Sequence, residues 1–212
     1  MTAKISTLIT AEAAELVCGS VDPSGTEHGR AVIAIDGRCA GGKTMLARAA
    51  ETLLRERGIP CRVLHADDFF LRPEQRTPQR MAEAGGNMDY ERLLSEVLLP
   101  LSRGESFVYR PYRCHGEQPE PYTVDPSGVT IIEGAYCCRP ELRSFYDRCF
   151  FVDIESGEQS ERILRRDGTE RARTFARRWI PLEERYIAEC RPQLSADAVF
   201  RLMDLRDVKT IT

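Results

Sequence analysis

One stretch constrains this chain more than any other. The apolar run AVIAID (31–36) passes directly into Gly37, Arg38, Cys39, Ala40, Gly41, Gly42, Lys43 and Thr44, and a helical repeat follows from Met45 onward. The octet meets the phosphate-loop pattern GxxxxGK[ST] at each fixed position. Glycines let backbone N–H groups turn inward around a phosphate, and the N-terminus of the next helix adds a favourable dipole. In such a loop Lys43 reaches the β- and γ-phosphates of a nucleotide, and the Thr44 hydroxyl ligates Mg²⁺. The chain has only two other lysines, Lys4 and Lys209, both near its ends. Lys43 is therefore not one of a crowd of solvated charges.

Strand, loop and helix in that order commit the chain to an α/β architecture. Four more apolar runs alternate with helical patterns: CRVLHAD (61–67), VTIIEG (129–134), RCFFVDI (148–154) and ADAVFRL (196–202). Their continuous hydrophobicity suits strands buried on both faces of a parallel sheet. Met45, Leu46, Ala49, Ala50, Leu53 and Leu54 recur at helical spacing and stop at Gly58, placed as a C′ residue. Leu93, Leu94, Val97, Leu98 and Leu101 form a second stripe behind Asp89, a helix N-cap. Ser156 to Gln159 reads as a capping box opening a third helix, and residues 7–18 read as an N-terminal helix. A chain of 212 residues fits a single domain of this kind. Two polar insertions, about 69–88 and 107–128, exceed ordinary connection lengths and are placed to bind an acceptor.

With 42% hydrophobic residues, 30% charged residues and a net charge of −3, the chain lacks the basic field that polynucleotide binding needs. No nucleic acid partner is expected. The apolar runs are too short to cross a bilayer and the N-terminus lacks the order of a signal peptide, so a cytoplasmic protein with no membrane partner is expected. The eight cysteines show no CxxC or Cys/His ligand spacing, which favours reduced thiols over disulfides or zinc.

A nucleotide site alone does not specify a reaction. GTPase switches need an NKxD base reader, yet the only asparagine is Asn87, in GGNMD; the LSGGQ signature of transport ATPases is absent too. Small-molecule kinases remain. Asp67 and Asp68 follow the strand 61–66, at the sheet edge where α/β proteins bind ligands. A neutral hydroxyl acceptor loses its proton during phosphoryl transfer, and Asp67 can take it. Asp68 fits an acceptor contact and a turn cap equally. Glu133 ends the strand VTIIE, where a buried carboxylate calls for a cation, so Thr44, Glu133 and Asp67 form the candidate Mg²⁺ set. Between about 158 and 178 lies an arginine-rich lid, in which Arg162, Arg165 and Arg166 are the candidate phosphoryl clamps.

The pieces IDGRCAGGKT, HADDFF, MDYERLLSEVLLPL, VTIIEG, RRD (165–167) and the tail from Trp179 to Asp197 resemble, in order, the uridine kinase and phosphoribulokinase-like branch of the P-loop kinases. The resemblance covers most of the chain from about residue 30. It implies a P-loop three-layer fold with a five-stranded parallel sheet flanked by helices, with ATP and Mg²⁺ as cofactors. It further implies that Asp89 holds ribose hydroxyls and that Tyr112 and His115 lie near the acceptor's base, though Asp89 serves equally as a helix cap. Uridine kinases usually carry an aspartate after the tyrosine of this loop; here Arg113 follows Tyr112. The expected activity is phosphoryl transfer to a nucleoside 5′-hydroxyl. The alternatives are a kinase of a sugar or vitamin alcohol, and a nucleotide-binding regulatory protein without turnover. A homo-oligomer is compatible with either.

Overall fold

The structure is a computed structural model that describes residues 5–22, 29–113 and 116–203. Its elements run β1 (Ile5–Leu8), α1 (Thr10–Gly19), β2 (Arg30–Gly37), α2 (Lys43–Glu56), β3 (Cys61–His65), α3 (Pro78–Ala82), α4 (Tyr90–Leu93) and α5 (Leu99–Arg103). There follow β4 (Phe107–Tyr109), β5 (Tyr122–Val124), β6 (Gly128–Glu133), β7 (Arg148–Asp153), α6 (Ser156–Thr174), α7 (Ile180–Cys190), α8 (Pro192–Ser195) and β8 (Ala198–Leu202). The main sheet has the order β1-β8-β7-β2-β6-β3, parallel throughout. All five apolar runs are strands of it. The neighbours β2 and β6 are buried almost end to end, which is why their sequences read as unbroken apolar runs.

A sixth strand, β1, joins the edge through parallel pairing with β8. Residues 7–18 are thus not all helix: Thr7 and Leu8 belong to β1 and α1 starts at Thr10. The four-residue ISTL alternates exposed and half-buried positions and leaves no apolar run to read. The expected capping box also moves. Glu155 is the N-cap of α6 and Ser156 its first residue, with no side-chain cap bond. Asp89 does cap α4, accepting from Arg92 N at 3.1 Å. Gly58 lies at φ +74° just past Arg57, as a C′ glycine does.

One face of the sheet packs Ile33, Ile35, Ile131 and Val152 against Ala14 and Val17 of α1 and Leu46, Ala50 and Leu54 of α2. The other packs Ala34 and Ile132 against Met88, Leu93, Leu98 and Tyr186. The result is three layers. Because β2 lies between β6 and β7, a crevice opens at its C-terminal end, and the phosphate loop sits there. The antiparallel pair β4–β5 stands apart from the sheet. Among the described residues no helix is long and apolar enough to cross a membrane.

Candidate active site

The loop after β2 is held from several sides. Gly37, at φ +145°, runs so close to β7 that an added Cβ would lie 2.1 Å from the Val152 carbonyl oxygen. Arg38 N donates to that oxygen at 3.0 Å. Asp36, 1% exposed, accepts from Gly37 N (2.6 Å), Tyr136 N (3.0 Å), Cys138 N (2.9 Å) and the Tyr186 hydroxyl (2.6 Å). Burial pushes its carboxyl up, and these donors pull it back toward the ionised form. One carboxylate therefore fastens the loop, the turn after β6, and α7.

Inside the loop the backbone N–H groups of Ala40, Gly42, Lys43 and Thr44 have no acceptor among the described residues. Unfilled donors at the start of a 14-residue helix make a nest for an anion. Lys43 Nζ donates to the carbonyls of Gly37 and Arg38, each at 2.9 Å. An ammonium has three N–H groups, so one is left for a phosphate.

Glu133 closes β6, and its Oε1 accepts from both the Thr44 hydroxyl (3.0 Å) and His65 Nδ1–H (2.6 Å). The next residue, Gly134, has φ +148°, and a Cβ there would meet Ala66 Cβ at 2.6 Å, so glycine lets the ends of β6 and β3 close up. The bond to Glu133 raises the His65 pKa, with burial opposing it. Thr44 and Glu133, with Asp67 nearby, offer the hard oxygen donors that suit Mg²⁺.

Asp67 and Asp68 are not in the strand: the chain leaves β3 at His65 and turns through a 3₁₀ segment, Ala66–Phe69. Asp67 is exposed to solvent, yet protein atoms crowd around its carboxyl. The crowding pushes its carboxyl up, Lys43 pulls it down, and Glu133 pushes it up again. Asp68 is raised by burial and accepts from the Tyr109 hydroxyl at 3.4 Å.

Beside the edge strand β3 and the β4–β5 pair lies a cavity of about 470 Å³, lined in part by Arg62, His65, Asp68, Tyr109, Arg113 and Tyr122. Phe69, Tyr109 and Tyr122 stack in a row with centroids 5.6 and 5.5 Å apart. Tyr112 is not among its lining residues; Arg72 covers that ring at 5.8 Å. Tyr109, followed by Arg110, and Tyr122 are the tyrosines of the cavity wall. His115 lies outside the described residues. Asp89 is 4% exposed and gives its second oxygen to Gln75 Nε2 at 2.7 Å, so a ribose hydroxyl reaches it only if Gln75 yields.

Arg162 and Arg166 of the lid touch the loop. Arg162 pairs with Glu158 and donates to Leu202 O (2.9 Å) and Ala40 O (3.4 Å), which makes it a fastener between loop and sheet. Arg166 pairs with Asp167 at 2.8 Å and lies 3.6 Å from Cys39 Sγ. Arg165 lies between them on α6. Sequence reasoning missed His65, Tyr109, Gln159 and Glu183. His65 adjoins the DD motif, which was the one available signal; Glu183 carries none, being one charge in an ordinary helix.

A parallel sheet whose central strand feeds a phosphate loop, with hard oxygen donors on the neighbouring strand, defines a P-loop kinase fold. No family model matches the chain. It is 30% identical over 149 residues to a uridine kinase of Lactococcus lactis subsp. cremoris, covering 68% of this chain and 72% of the relative. A solved structure of a possible uridine kinase from Bacillus stearothermophilus superposes with a TM-score of 0.69 at 24% identity, over 89% of this chain and 97% of the other. D-glycerate 3-kinase from Cryptococcus neoformans var. grubii shares the fold at a TM-score of 0.56 and 14% identity, over 82% and 86% of the two chains. The chain belongs to the uridine kinase family of P-loop kinases.

Proposed function

We propose that this protein transfers the γ-phosphoryl group of ATP to a hydroxyl of a small molecule, a nucleoside 5′-hydroxyl before others. The observation that carries the reading is the nest of unsatisfied loop amides beside Lys43, within whose field Asp67 lies. In this reading the loop amides and the remaining Lys43 N–H hold the terminal phosphates, and cost no reorganisation when charge develops there. Asp67 removes the proton from the incoming alcohol; a carboxyl raised above the usual range is a stronger base once ionised. Thr44 and Glu133, with Asp67, would hold Mg²⁺, which when bound neutralises charge shared between the β- and γ-phosphates. His65 keeps Glu133 oriented.

The nucleoside assignment draws support from relatives named uridine kinase and from the stacked tyrosines of the cavity, which suit a planar base. A second reading, an alcohol carrying a carboxylate or phosphate, is favoured by Arg62 and Arg113 in the cavity wall, neither of which has a carboxylate within 4.0 Å among the described residues. The test is ADP release from Mg-ATP over a panel of nucleosides, sugars, vitamin alcohols and hydroxy acids. Acceptor-dependent ADP that Lys43→Ala abolishes supports the kinase. Stabilisation by ATP in a thermal melt, with no acceptor consumed, would instead identify a binding protein without turnover.

A further inference from the structure

Cys39 stands inside the phosphate loop, and both of its backbone polar groups are taken by side chains from distant helices. Its N–H donates to Glu183 Oε2 at 2.6 Å and its carbonyl accepts from Gln159 Nε2 at 3.1 Å. Gln159 Nε2 also donates to Glu183 Oε1 at 2.8 Å, which closes a ring of three bonds. Gln159 is 1% exposed and Glu183 4%. A buried carboxylate and a buried amide at this cost in desolvation call for a role that an apolar pair would not fill.

The positions of the two residues suggest that role. Gln159 is in the first turn of α6 and Glu183 in the first turn of α7. The stretch between them carries the exposed Arg171, Arg173, Arg177 and Arg178, and it breaks its helical geometry at Gly168 (φ 78°, ψ 172°). A π-helical turn, Phe175–Trp179, leads into α7. Both feet of the arginine-rich segment therefore stand on one residue of the loop, through the two peptide units that flank its Cα. A second tier steadies the arrangement: Arg38 pairs with Asp153 at 2.9 Å and with Glu184, and Arg201 pairs with Asp153 at 2.7 Å.

We propose that Gln159 and Glu183 are positioning residues that couple the conformation of the phosphate loop to the arginine-rich segment, through the peptide groups of Cys39. The proposal rests on the nucleotide reading above. A loop that shifts when phosphates enter moves Cys39, and both feet of the segment move with it. Neither side chain touches the phosphates. Their removal uncouples the segment while leaving the nest intact.

The experiment is limited trypsin digestion of the full chain with and without a non-hydrolysable ATP analogue and Mg²⁺, beside the calorimetric Kd of the same analogue. In the wild type the analogue slows cleavage at the arginines of 171–178 about tenfold, within the range of ordinary coupling energies. Glu183→Ala and Gln159→Ala lose that protection while the Kd changes less than about threefold, and Glu183→Gln, which keeps an acceptor for the Cys39 amide, retains most of it. Equal protection in Glu183→Ala and wild type overturns the coupling. So does a loss of protection that tracks a lowered melting temperature across the three variants, since that marks a merely structural role. A wild type that binds no analogue removes the nucleotide reading itself, a result the Kd arm reports separately.

Discussion

The phosphate-loop half and the acceptor half of this molecule are built on different principles. The first is made of backbone: amides of residues 40–44, two carbonyls holding Lys43, and a buried Asp36 whose partners are three amides and one hydroxyl. It stands on the innermost strands of the sheet. The second is made of side chains projecting from the edge strand β3 and from the three-residue strands β4 and β5. Backbone geometry is shared by every sequence that adopts the fold, whereas side chains on an edge change one at a time. On the proposed function, the loop half would carry the chemistry common to the fold, and the edge would set the acceptor locally.

The carboxylates divide in part the same way. Around the loop, Asp36, Asp67 and Glu183 are raised, by the protein packed around them first, and Asp68 in the cavity wall is raised with them. In the acceptor half, burial would raise Glu91 and Glu96, yet their bonds to Arg80 and Arg92 bring both below the ordinary value. Arg92 also donates to Arg110 O at 2.6 Å, which ties α4 to the β4–β5 pair.

Four experiments would break or sharpen this contrast. Lys43→Ala removes the ammonium at the mouth of the amide nest, and kcat/KM for ATP should fall about a thousandfold or more while the melting temperature holds within a few degrees. A residual activity above a tenth would mean that the nest does not hold the reacting phosphates. Asp67→Asn should lower kcat by about 10²–10³-fold with the ATP Kd nearly unchanged; an equal loss of nucleotide affinity would move Asp67 out of the base role. Tyr122→Ala, at a residue 50% exposed on the rim of the cavity, should raise the acceptor KM about fivefold and leave the ATP KM alone. The same change at Tyr112 should do less; the reverse ranking would put the acceptor outside the 470 Å³ cavity.

The smallest effect is on pH dependence. A carboxylate depressed in the folded state stabilises above its unfolded pKa, and the gain is lost as pH falls through the folded value. Hydrogen-exchange protection of α4 and the β4–β5 pair should therefore hold down to the ordinary carboxylate range and fade below it, as Glu91 and Glu96 take up protons. For raised carboxylates the ionised form is the penalised one, so the loop half should gain slightly as pH falls through the folded pKa values of Asp36 and Glu183. Both groups are partly exposed in the acceptor half, so screening keeps that arm small. Parallel loss in the two halves would end the distinction.

How much was legible follows from the same division. The five core strands, α2 and the cap at Asp89 were readable because burial on both faces and local capping write themselves into consecutive residues. The strand β1 was not, since a half-exposed edge of four residues is specified by its neighbour β8 rather than by its own pattern. The cap of α6 fell one residue earlier than the Ser156 box suggested, because its first turn is held by tertiary bonds through Gln159 instead of by a local cap. The resemblance pointed to Tyr112, whereas Tyr109 and Tyr122 line the cavity, because sequence gives the order of a loop but not which ring turns inward.

By itself the sequence determined the phosphate loop, the strand that feeds it and the helix that leaves it, because those demands act between adjacent residues. Only the tertiary structure decided that His65 reaches Glu133 across 68 positions and that Glu183 reaches Cys39 across 144. Charge and hydrogen-bonding capacity are visible along a chain, but a partner is not. Which donor a buried carboxylate meets is fixed by the packing of whole helices on the sheet.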